Sequence, residues 1–393
     1  MAIEGRSDAG KGGRIRLGMI GGGEGAFIGA VHRLAARMDD HYDLVAGALS
    51  ATPEKARRSG AALGLPADRV YDDFEAMAKF EAKRGNGIEA VAIVTPNHMH
   101  AGPAYAFLNA GIHVICDKPV TTTVQDAVEL AKLVERTGLV FGLTHNYTGY
   151  PMVRQAREMI GAGELGTIRV VQVQYAQDWL ATPLEKTGQK QAVWRTDPKQ
   201  SGQAGCLGDI GTHAFNLAEF VTGLRCERIA AELSTFVPGR RVDDNVQMLL
   251  RFDKGARGML WSSQVATGNE NNLRLRVYGE KAGLEWGQED PNYLSFRPLG
   301  KAPILITRAG PAATAVAAHA SRIPSGHPEG YLEAFAQLYT DLAEQIAAKI
   351  EGRQAKAASL LVPTVEDGVA EMRFIAAAIE SSKKDAAWVA LDN

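Results

Sequence analysis

The chain has 393 residues, which is long for a single domain and favours two. Its apolar share of 46% and charged share of 22% are typical of globular proteins. The net charge is −2, from 43 basic and 45 acidic residues, and no basic block occurs. The composition therefore argues against a nucleic-acid or membrane-surface role.

The three cysteines, Cys116, Cys206 and Cys226, are scattered and show no CxxC spacing. This pattern argues against a zinc site and fits a reducing compartment. The N-terminal stretch MAIEGRSDAGKGGR is polar and glycine-rich, unlike a signal peptide, and we expect it to be a loose arm. No stretch approaches the roughly 18 apolar residues of a membrane-spanning helix. We therefore expect a cytoplasmic protein without a metal site.

From residue 14 onward, short apolar runs alternate with segments of helical spacing. The predicted strands are RIRLGMIG, YDLVAGAL, residues 70–71, AVAIV, HVIC and VFGL. Helices are predicted at 26–38, 53–63, 73–83, 100–109 and 123–136. This alternation predicts a parallel sheet covered on both faces. Its six strands make one doubly wound domain, which we place at 14–148.

After about residue 150 the pattern changes. Alternating apolar segments such as IRVVQVQYAQDW are joined by short turns such as FDKGARG. They predict a large open, mainly antiparallel sheet. Helices are predicted at 150–160, 213–221 and 331–349. We place this second domain, of the α+β type, at 149–393, so the fold class is α/β with two domains.

The segment GMIGGGEGAFIGAVH lies between the first predicted strand and the first predicted helix. Its Gly21-x-Gly23-x-x-Ala26 fits the dinucleotide fingerprint, which needs a tight turn, close approach of backbone to pyrophosphate, and close helix packing. The helix N-terminus then supplies amides for the phosphates. Because the loop has surplus glycines, the third role is open between Ala26, Gly25 and Gly29.

The second predicted strand ends in ALSAT, with no acidic residue for the adenosine ribose. Ser50 with Lys55, Arg57 or Arg58 is a candidate set for binding a 2′-phosphate. This pattern favours NADP over NAD. The competing interpretation is that basic residues on a surface helix are simply solvated.

Two further motifs, TPNHMH at 95–100 and ICDKP at 115–119, follow predicted strands at the edge where ligands bind in such sheets. A third motif, GCLGDIGTH, places Asp209 and His213 at i and i+4 on one helical face. In one interpretation Asp209 caps a helix and His213 is packed. In the other, both side chains face a pocket and handle a proton.

GMIGGG, TPNHMH, AGIHVICDKP and GDIGTH, in this order, resemble the glucose–fructose oxidoreductase / inositol dehydrogenase / rhizopine-catabolism (Gfo/Idh/MocA) family. The resemblance covers nearly the whole chain. It implies a Rossmann domain, an α+β domain and NADP or NAD as cofactor. The implied reaction transfers a hydride between nicotinamide and a hydroxyl or carbonyl of a sugar, sugar derivative or cyclitol. Two departures are Asp117, where the family usually has glutamate, and a longer glycine loop.

Carried over residue by residue, the resemblance implies that Lys118, Asp209 and His213 are catalytic. A histidine suits proton transfer near neutral pH, and an ammonium stabilises a developing alkoxide. Which of Lys118 and His213 transfers the proton stays open. The candidate cofactor-binding residues are Gly21, Gly23, Gly25, Ala26, Ser50, Lys55, Thr95, Asn97, His100, Lys118, Trp194 and Arg195. The candidate substrate-binding residues are Lys118, Tyr147, Gln174, Trp179, Asp209, His213 and His327.

Two other functions stay open. One is an NAD-dependent glycoside hydrolase that uses transient oxidation and elimination, and the other is a non-catalytic nucleotide-binding regulator. An intact set of lysine, aspartate and histidine argues against the regulator. The exposed face of the second sheet is expected to pair in a homodimer or homotetramer. The expected partner is a small polyhydroxylated molecule, with no nucleic acid and no membrane.

Overall fold

A computed structural model describes residues 13–391, so the polar arm expected at the N-terminus lies, except for its last two residues, outside the described residues. Within that range no helix combines the length and apolar character needed to cross a bilayer. The chain forms two compact units. The first unit contains residues up to 121, 125–149 and 331–369, and the second contains 122–124, 150–330 and the chain from 370 onward.

The described residues form fourteen strands and twelve α-helices, besides short 3-10 turns and one π-helical turn. The strands are β1 Ile15–Gly21, β2 Tyr42–Ala48, β3 Ala90–Val94, β4 His113–Cys116, β5 Phe141–Leu143, β6 Ile168–Ala176, β7 Cys226–Ser234, β8 Asn245–Phe252, β9 Arg257–Ser263, β10 Asn272–Gly279, β11 Ala282–Gly287, β12 Tyr293–Pro298, β13 Ile304–Thr307 and β14 Val389–Ala390. The helices are α1 Phe27–Met38, α2 Pro53–Ala62, α3 Phe74–Glu81, α4 Ala101–Asn109, α5 Val124–Thr137, α6 Pro151–Gly161, α7 Lys190–Arg195, α8 Pro198–Ser201, α9 Thr212–Thr222, α10 Ala315–His319, α11 Tyr331–Glu351 and α12 Val365–Lys383.

The sheet of the first unit is parallel, with strand order β2-β1-β3-β4-β5. Six strands were predicted, and the one at 70–71 is wrong, because Val70 forms only an isolated bridge with Gly47. The chain leaves the sheet at once, since Asp73 caps α3 by accepting a hydrogen bond from the Ala76 amide at 2.6 Å. The doubly wound parallel architecture is confirmed.

Helix α11 belongs to the first unit, whereas the sequence assigned it to a second domain at 149–393. It packs against α1 and contributes to the core of this unit. The Tyr339 hydroxyl lies 2.8 Å from Nδ1 of His32, and the Tyr42 hydroxyl donates to the Tyr339 carbonyl at 2.9 Å. A single domain boundary between residues 148 and 149 cannot describe a chain that returns to the first unit at residues 331–369. The apolar face of α11 shows that the helix is buried, but not against which unit.

The second unit contains a nine-stranded sheet of order β13-β12-β11-β10-β6-β9-β8-β7-β14, in which only the β6–β9 pair is parallel. Helix α9 covers one face, where the ring of His213 lies 6.3 Å from that of Tyr175. Leu249, Met259 and Tyr278 are exposed on the other face. The large, mainly antiparallel sheet was predicted from alternation and is confirmed.

Candidate active-site residues and their surroundings

The loop between β1 and α1 has a backbone that only glycine can follow closely. Gly21 and Gly22 have φ of 78° and 71°, in the left-handed region. A Cβ on Gly23 would lie 2.6 Å from the Leu49 carbonyl oxygen, and one on Gly29 would lie 2.3 Å from the Gly22 Cα. The close helix packing of the fingerprint therefore falls to Gly29, one of the options left open by the sequence.

This loop fits a dinucleotide. A Cβ on Gly25 would meet nothing within 4 Å, so that side of the loop offers open space. Helix α1 starts directly after Ala26, and this N-cap residue makes no side-chain capping hydrogen bond. Main-chain amides at such a helix start bind pyrophosphate, and the macrodipole favours its charge. The loop would hold the phosphates and α1 would stabilise them.

At the end of β2, Ser50 accepts a hydrogen bond from the Thr52 amide at 3.1 Å. The two arginines considered with it are already paired: Arg57 lies 3.5 Å from Asp72, and Arg58 lies 3.5 Å from Glu24. Lys55 forms no ion pair with another described residue. Of the three basic residues, Lys55 is thus the one whose charge is available to a nucleotide.

His100 joins the ends of two strands of the first unit. Its Nδ1 lies 2.6 Å from the Pro119 carbonyl oxygen, and its Nε2 lies 2.9 Å from the Thr95 carbonyl oxygen. Its side chain is almost fully buried, and Asn97 beside it is also buried. Thr95, Asn97, His100 and Lys118 therefore lie at one edge of the sheet, as predicted, and His100 holds that edge together.

Asp117 holds the backbone of Lys118. Its Oδ1 accepts hydrogen bonds from the Lys118 amide and from the Thr144 hydroxyl, both at 2.9 Å. The shorter acid at this position thus still has a local structural role. Thr144 was not predicted, because nothing in the sequence near it signals a contact 27 residues away.

The segment GCLGDIGTH begins with three successive backbone amides bound by one aspartate. The Gly205 and Leu207 amides donate to Oδ1 and Oδ2 of Asp243, both at 2.7 Å. The Cys206 amide donates to the Asp243 carbonyl at 2.9 Å. A π-helical turn, Leu207–Gly211, then runs directly into α9. Asp243 therefore caps this helical segment, and the interpretation of Asp209 as the cap is wrong.

The Asp209 carboxylate is held from two sides. Its Oδ2 accepts from Arg195 Nε at 3.2 Å and from Gln264 Nε2 at 2.8 Å. The Arg195 guanidinium lies over the Trp194 ring, 4.3 Å from its centroid, and 5.9 Å from the Trp179 centroid. The structure thus brings Asp209 close to Trp179 and to the adjacent pair Trp194 and Arg195, all of them candidate site residues. It adds Gln264, which the sequence did not indicate.

His213 is buried on the helix-covered face of the second sheet, beside Tyr175. Gln174 is the neighbour of Tyr175 in β6, so its side chain points to the opposite face. There it is in register with Arg274 and Trp261. The structure does not bring Gln174 together with His213, and its role in the substrate pocket stays a prediction. The alternation of buried and less buried residues along β6 could have shown from the sequence that Gln174 and Tyr175 face opposite sides of the sheet.

Two other predicted substrate residues lie in irregular segments. Tyr147 is buried in the turn Asn146–Gly149 of the first unit. His327 is exposed in a loop of the second unit. That loop is held by Arg308, which pairs with Glu329 at 2.8 Å and donates to the His327 carbonyl.

The cysteines have no reactive surroundings. All three are buried and form no disulfide. Burial raises the pKa of the Cys226 thiol to about 12 and raises that of Cys206 well above its ordinary value. Among residues 13–391, no group of three or more histidine, cysteine, aspartate or glutamate side chains is arranged to hold a metal.

A parallel sheet with a glycine cradle and an uncapped helix start defines a dinucleotide-binding protein. A family model described as an oxidoreductase family with an NAD-binding Rossmann fold matches residues 15–145. The GFO/IDH/MocA C-terminal domain model matches residues 153–285.

Three relatives cover almost the whole chain. The uncharacterized oxidoreductase YfiI of Bacillus subtilis is 33% identical, over 95% of this chain and 96% of the relative. The crystal structure of an oxidoreductase from Sinorhizobium meliloti is 55% identical, with TM-score 0.88, covering 96% of this chain and 100% of that one. An inositol dehydrogenase homolog from Azotobacter vinelandii, complexed with NADH and myo-inositol, is 35% identical with TM-score 0.89, covering 96% and 98%.

The chain belongs to the Gfo/Idh/MocA family of oxidoreductases. It is an enzyme of the NAD-binding dehydrogenase class.

Proposed function

We propose that the chain transfers a hydride between nicotinamide and a hydroxyl or carbonyl carbon of a sugar, a sugar derivative or a cyclitol. The observation that carries this is the arrangement at Asp209: its carboxylate is fixed by Arg195 and Gln264, and His213 follows one turn later. A fixed carboxylate suits the vicinal hydroxyls of a polyhydroxylated ring. The relative that binds NADH and myo-inositol supports this substrate class.

We assign three roles on this basis. His213 takes the proton of the reacting hydroxyl, and Lys118 stabilises the negative charge that develops on its oxygen. Asp209 accepts a hydrogen bond from a neighbouring hydroxyl and orients the ring. Bound nicotinamide supplies the carbon that accepts the hydride. Asp117 keeps Lys118 in place by binding its amide.

The test is a panel of aldoses, cyclitols, anhydrosugars and glycosides with NAD and with NADP, using wild type and His213→Ala. Cofactor reduction and product mass are measured together. Turnover that falls by about 10²–10⁴-fold in the variant is expected, because that range is typical for loss of a general base. Cleavage of a glycoside without net cofactor reduction would instead identify a redox-assisted hydrolase.

We propose that the coenzyme site accepts NADP in preference to NAD. The support is the lack of an acid in residues 48–52 and the charge of Lys55, which has no ion-pair partner among residues 13–391. Lys55→Gln is expected to lower kcat/KM for NADP and leave that for NAD unchanged, with Arg57→Gln as the matched control. Equal loss for both coenzymes, or stronger activity with NAD in wild type, would contradict this preference.

We further propose a homo-oligomer that pairs through the exposed face of the nine-stranded sheet. Leu249 and Met259 are opposite each other in adjacent strands and are 52% and 45% exposed. A broad face of this kind is stabilised when a second copy covers it. Leu249→Arg is expected to shift the sedimentation coefficient toward the monomer, and an unchanged assembly would exclude this face.

The buried thiols support a reducing, cytoplasmic location.

A further inference from the structure

Two adjacent acids, Asp243 and Asp244, lie immediately before β8 and belong to none of the motifs discussed above. Both side chains are almost fully buried. Buried carboxylates are costly unless hydrogen bonds compensate them, so their partners show which parts of the fold depend on them.

Asp243 determines where the catalytic helical segment begins. It accepts from the amides of Gly205, Cys206 and Leu207, two through its carboxylate and one through its carbonyl. The fit leaves no space for adjustment, because a Cβ on Gly205 would lie 2.3 Å from the Asp243 carbonyl oxygen. Asp209 is only two residues beyond Leu207, so a change in this cap moves Asp209 directly.

Asp244 organises the other side of the same arrangement. Its carbonyl accepts from the Gln264 amide at 2.9 Å, which fixes the backbone of the residue that holds Asp209. Its carboxylate accepts from the amides of Phe236 and Val237 at 2.9 and 3.0 Å and from Arg240 Nη1 at 3.2 Å.

Arg240 extends this network toward Trp179. Its guanidinium donates to the carbonyls of Leu180 and Thr182 at 3.0 and 3.2 Å and pairs with Glu185 at 3.0 Å. Arg240 thereby joins the segment that follows Trp179 to the Asp244 carboxylate. The ring centroid of Trp179 lies 5.9 Å from the Arg195 guanidinium.

We propose that Asp243 and Asp244 are positioning residues for the reaction. Asp243 sets the helical turn that carries Asp209 and His213, and Asp244 sets Gln264 and the segment next to Trp179. Neither acid contacts substrate. This inference rests on the proposed roles of Asp209 and His213.

The main test uses Asp243→Asn and Asp243→Ala. Asparagine keeps one side-chain acceptor oxygen and alanine keeps none, whereas both keep the backbone carbonyl, so the two variants form a graded series. With the panel compound of highest wild-type kcat/KM, kcat should fall about 10-fold in the first and about 10²-fold in the second, since a displacement of about 1 Å can cost that much. The Kd for NADH should change far less than kcat in both variants, because the glycine loop is in the first unit. Hydrogen exchange at the 205–207 amides should become faster.

Glu219→Gln is the matched control. Glu219 is a buried carboxylate on α9 itself and accepts from the Cys226 amide at 2.7 Å and Arg225 at 3.0 Å. Its replacement should lower the melting temperature while kcat and KM stay unchanged. If the Asp243 variants fail to fold, Gln264→Leu tests the second branch: it removes only the amide contact to Asp209, and kcat should fall with little change in melting temperature.

The outcomes separate the inference from the function on which it rests. If His213→Ala keeps wild-type activity, the proposed function fails. If His213→Ala is inactive while the Asp243 variants or Gln264→Leu keep wild-type kcat and KM, the proposed function stands and the positioning role is wrong. A loss of activity in Glu219→Gln equal to that in Asp243→Asn would also overturn it, because the effect would then be general destabilisation.

Discussion

The glycine loop of the first unit and the Asp209 turn of the second unit hold functional groups in different ways. In the loop, the candidate binding surface is the backbone of residues 21–29 itself, and close packing leaves no room for a side chain at Gly23 or Gly29. In the turn, the functional groups are side chains, and their position depends on Asp243 and Gln264, which are distant in sequence. A backbone site is therefore visible as a local motif, whereas a side-chain site needs partners that only the fold supplies.

Within the first unit, the largest effect on turnover is expected for Lys118→Met. The variant loses the charge that stabilises the developing alkoxide, so kcat should fall by about 10²–10³-fold, as for removal of one oxyanion donor. NADH affinity should change far less than kcat, because the glycine loop is unchanged. Stopped-flow turnover and NADH fluorescence titration measure the two quantities. Lys79→Met, at an exposed position, is the control, and equal losses in both variants would contradict a catalytic role for Lys118.

The second prediction concerns Gly29→Val, which tests whether close backbone packing shapes the cofactor loop. The new side chain would meet the Gly22 Cα, since even a Cβ would lie 2.3 Å away. The loop must then move, and the Kd for NADH should rise at least about tenfold, or about 1.4 kcal/mol. Ala30→Val adds the same side chain at the next, exposed position of α1 and should leave the Kd unchanged. Similar Kd values for the two variants would show that close packing at Gly29 does not shape the cofactor loop.

The third prediction concerns pH, because a buried group in each unit has a shifted pKa. The two shifts change the free energy of unfolding in opposite directions as pH falls. Burial lowers the pKa of His32 to about 4 from its ordinary value of 6.5. Between these values the unfolded state binds the extra proton, so His32 makes the free energy of unfolding fall as pH falls. Burial raises the pKa of Asp243 to about 6, against the opposing amides of Leu207 and Gly205. The native state then binds the extra proton, and this contribution increases stability as pH falls.

Urea unfolding of wild type and His32→Asn at pH 7 and pH 5 measures the first of these contributions. Wild type should lose about 2 kcal/mol more than the variant over this interval. Asparagine stays neutral and can still bond to the Tyr339 hydroxyl, which lies 2.8 Å from His32 Nδ1. The exposed His327→Asn serves as the reference, and a variant with the same pH slope as wild type would show that His32 does not titrate as stated.

The smallest effect is expected for Cys206→Ala. Its thiol lies beside the Asp209 turn, but burial raises its pKa well above the ordinary value, so the reactive thiolate is not formed near neutral pH. We expect kcat to stay within about a factor of two and the native protein to resist iodoacetamide at this position. Rapid alkylation at Cys206 with loss of turnover would mean that the turn opens more readily than its hydrogen bonds indicate.

The sequence by itself determined the features that depend on local pattern. Strand and helix alternation predicted the parallel sheet, and period-two alternation predicted the open antiparallel sheet. The glycines of residues 21–29 and the motif around Lys118 were recognisable because their physical requirements fall within a few consecutive residues. The spacing of Asp209 and His213 was also readable, although it left open whether Asp209 is a helix cap.

Only the tertiary structure decided the questions that involve distant partners. It showed that Asp243 caps the helical segment and that the Gln264 side chain donates a hydrogen bond to Asp209. It also showed that α11 belongs to the first unit. Tyr175 faces His213, and because adjacent residues of a strand point to opposite faces of the sheet, Gln174 points away from the histidine. Hydrogen bonds and burial join residues by distance in space, and a single sequence records only their order along the chain.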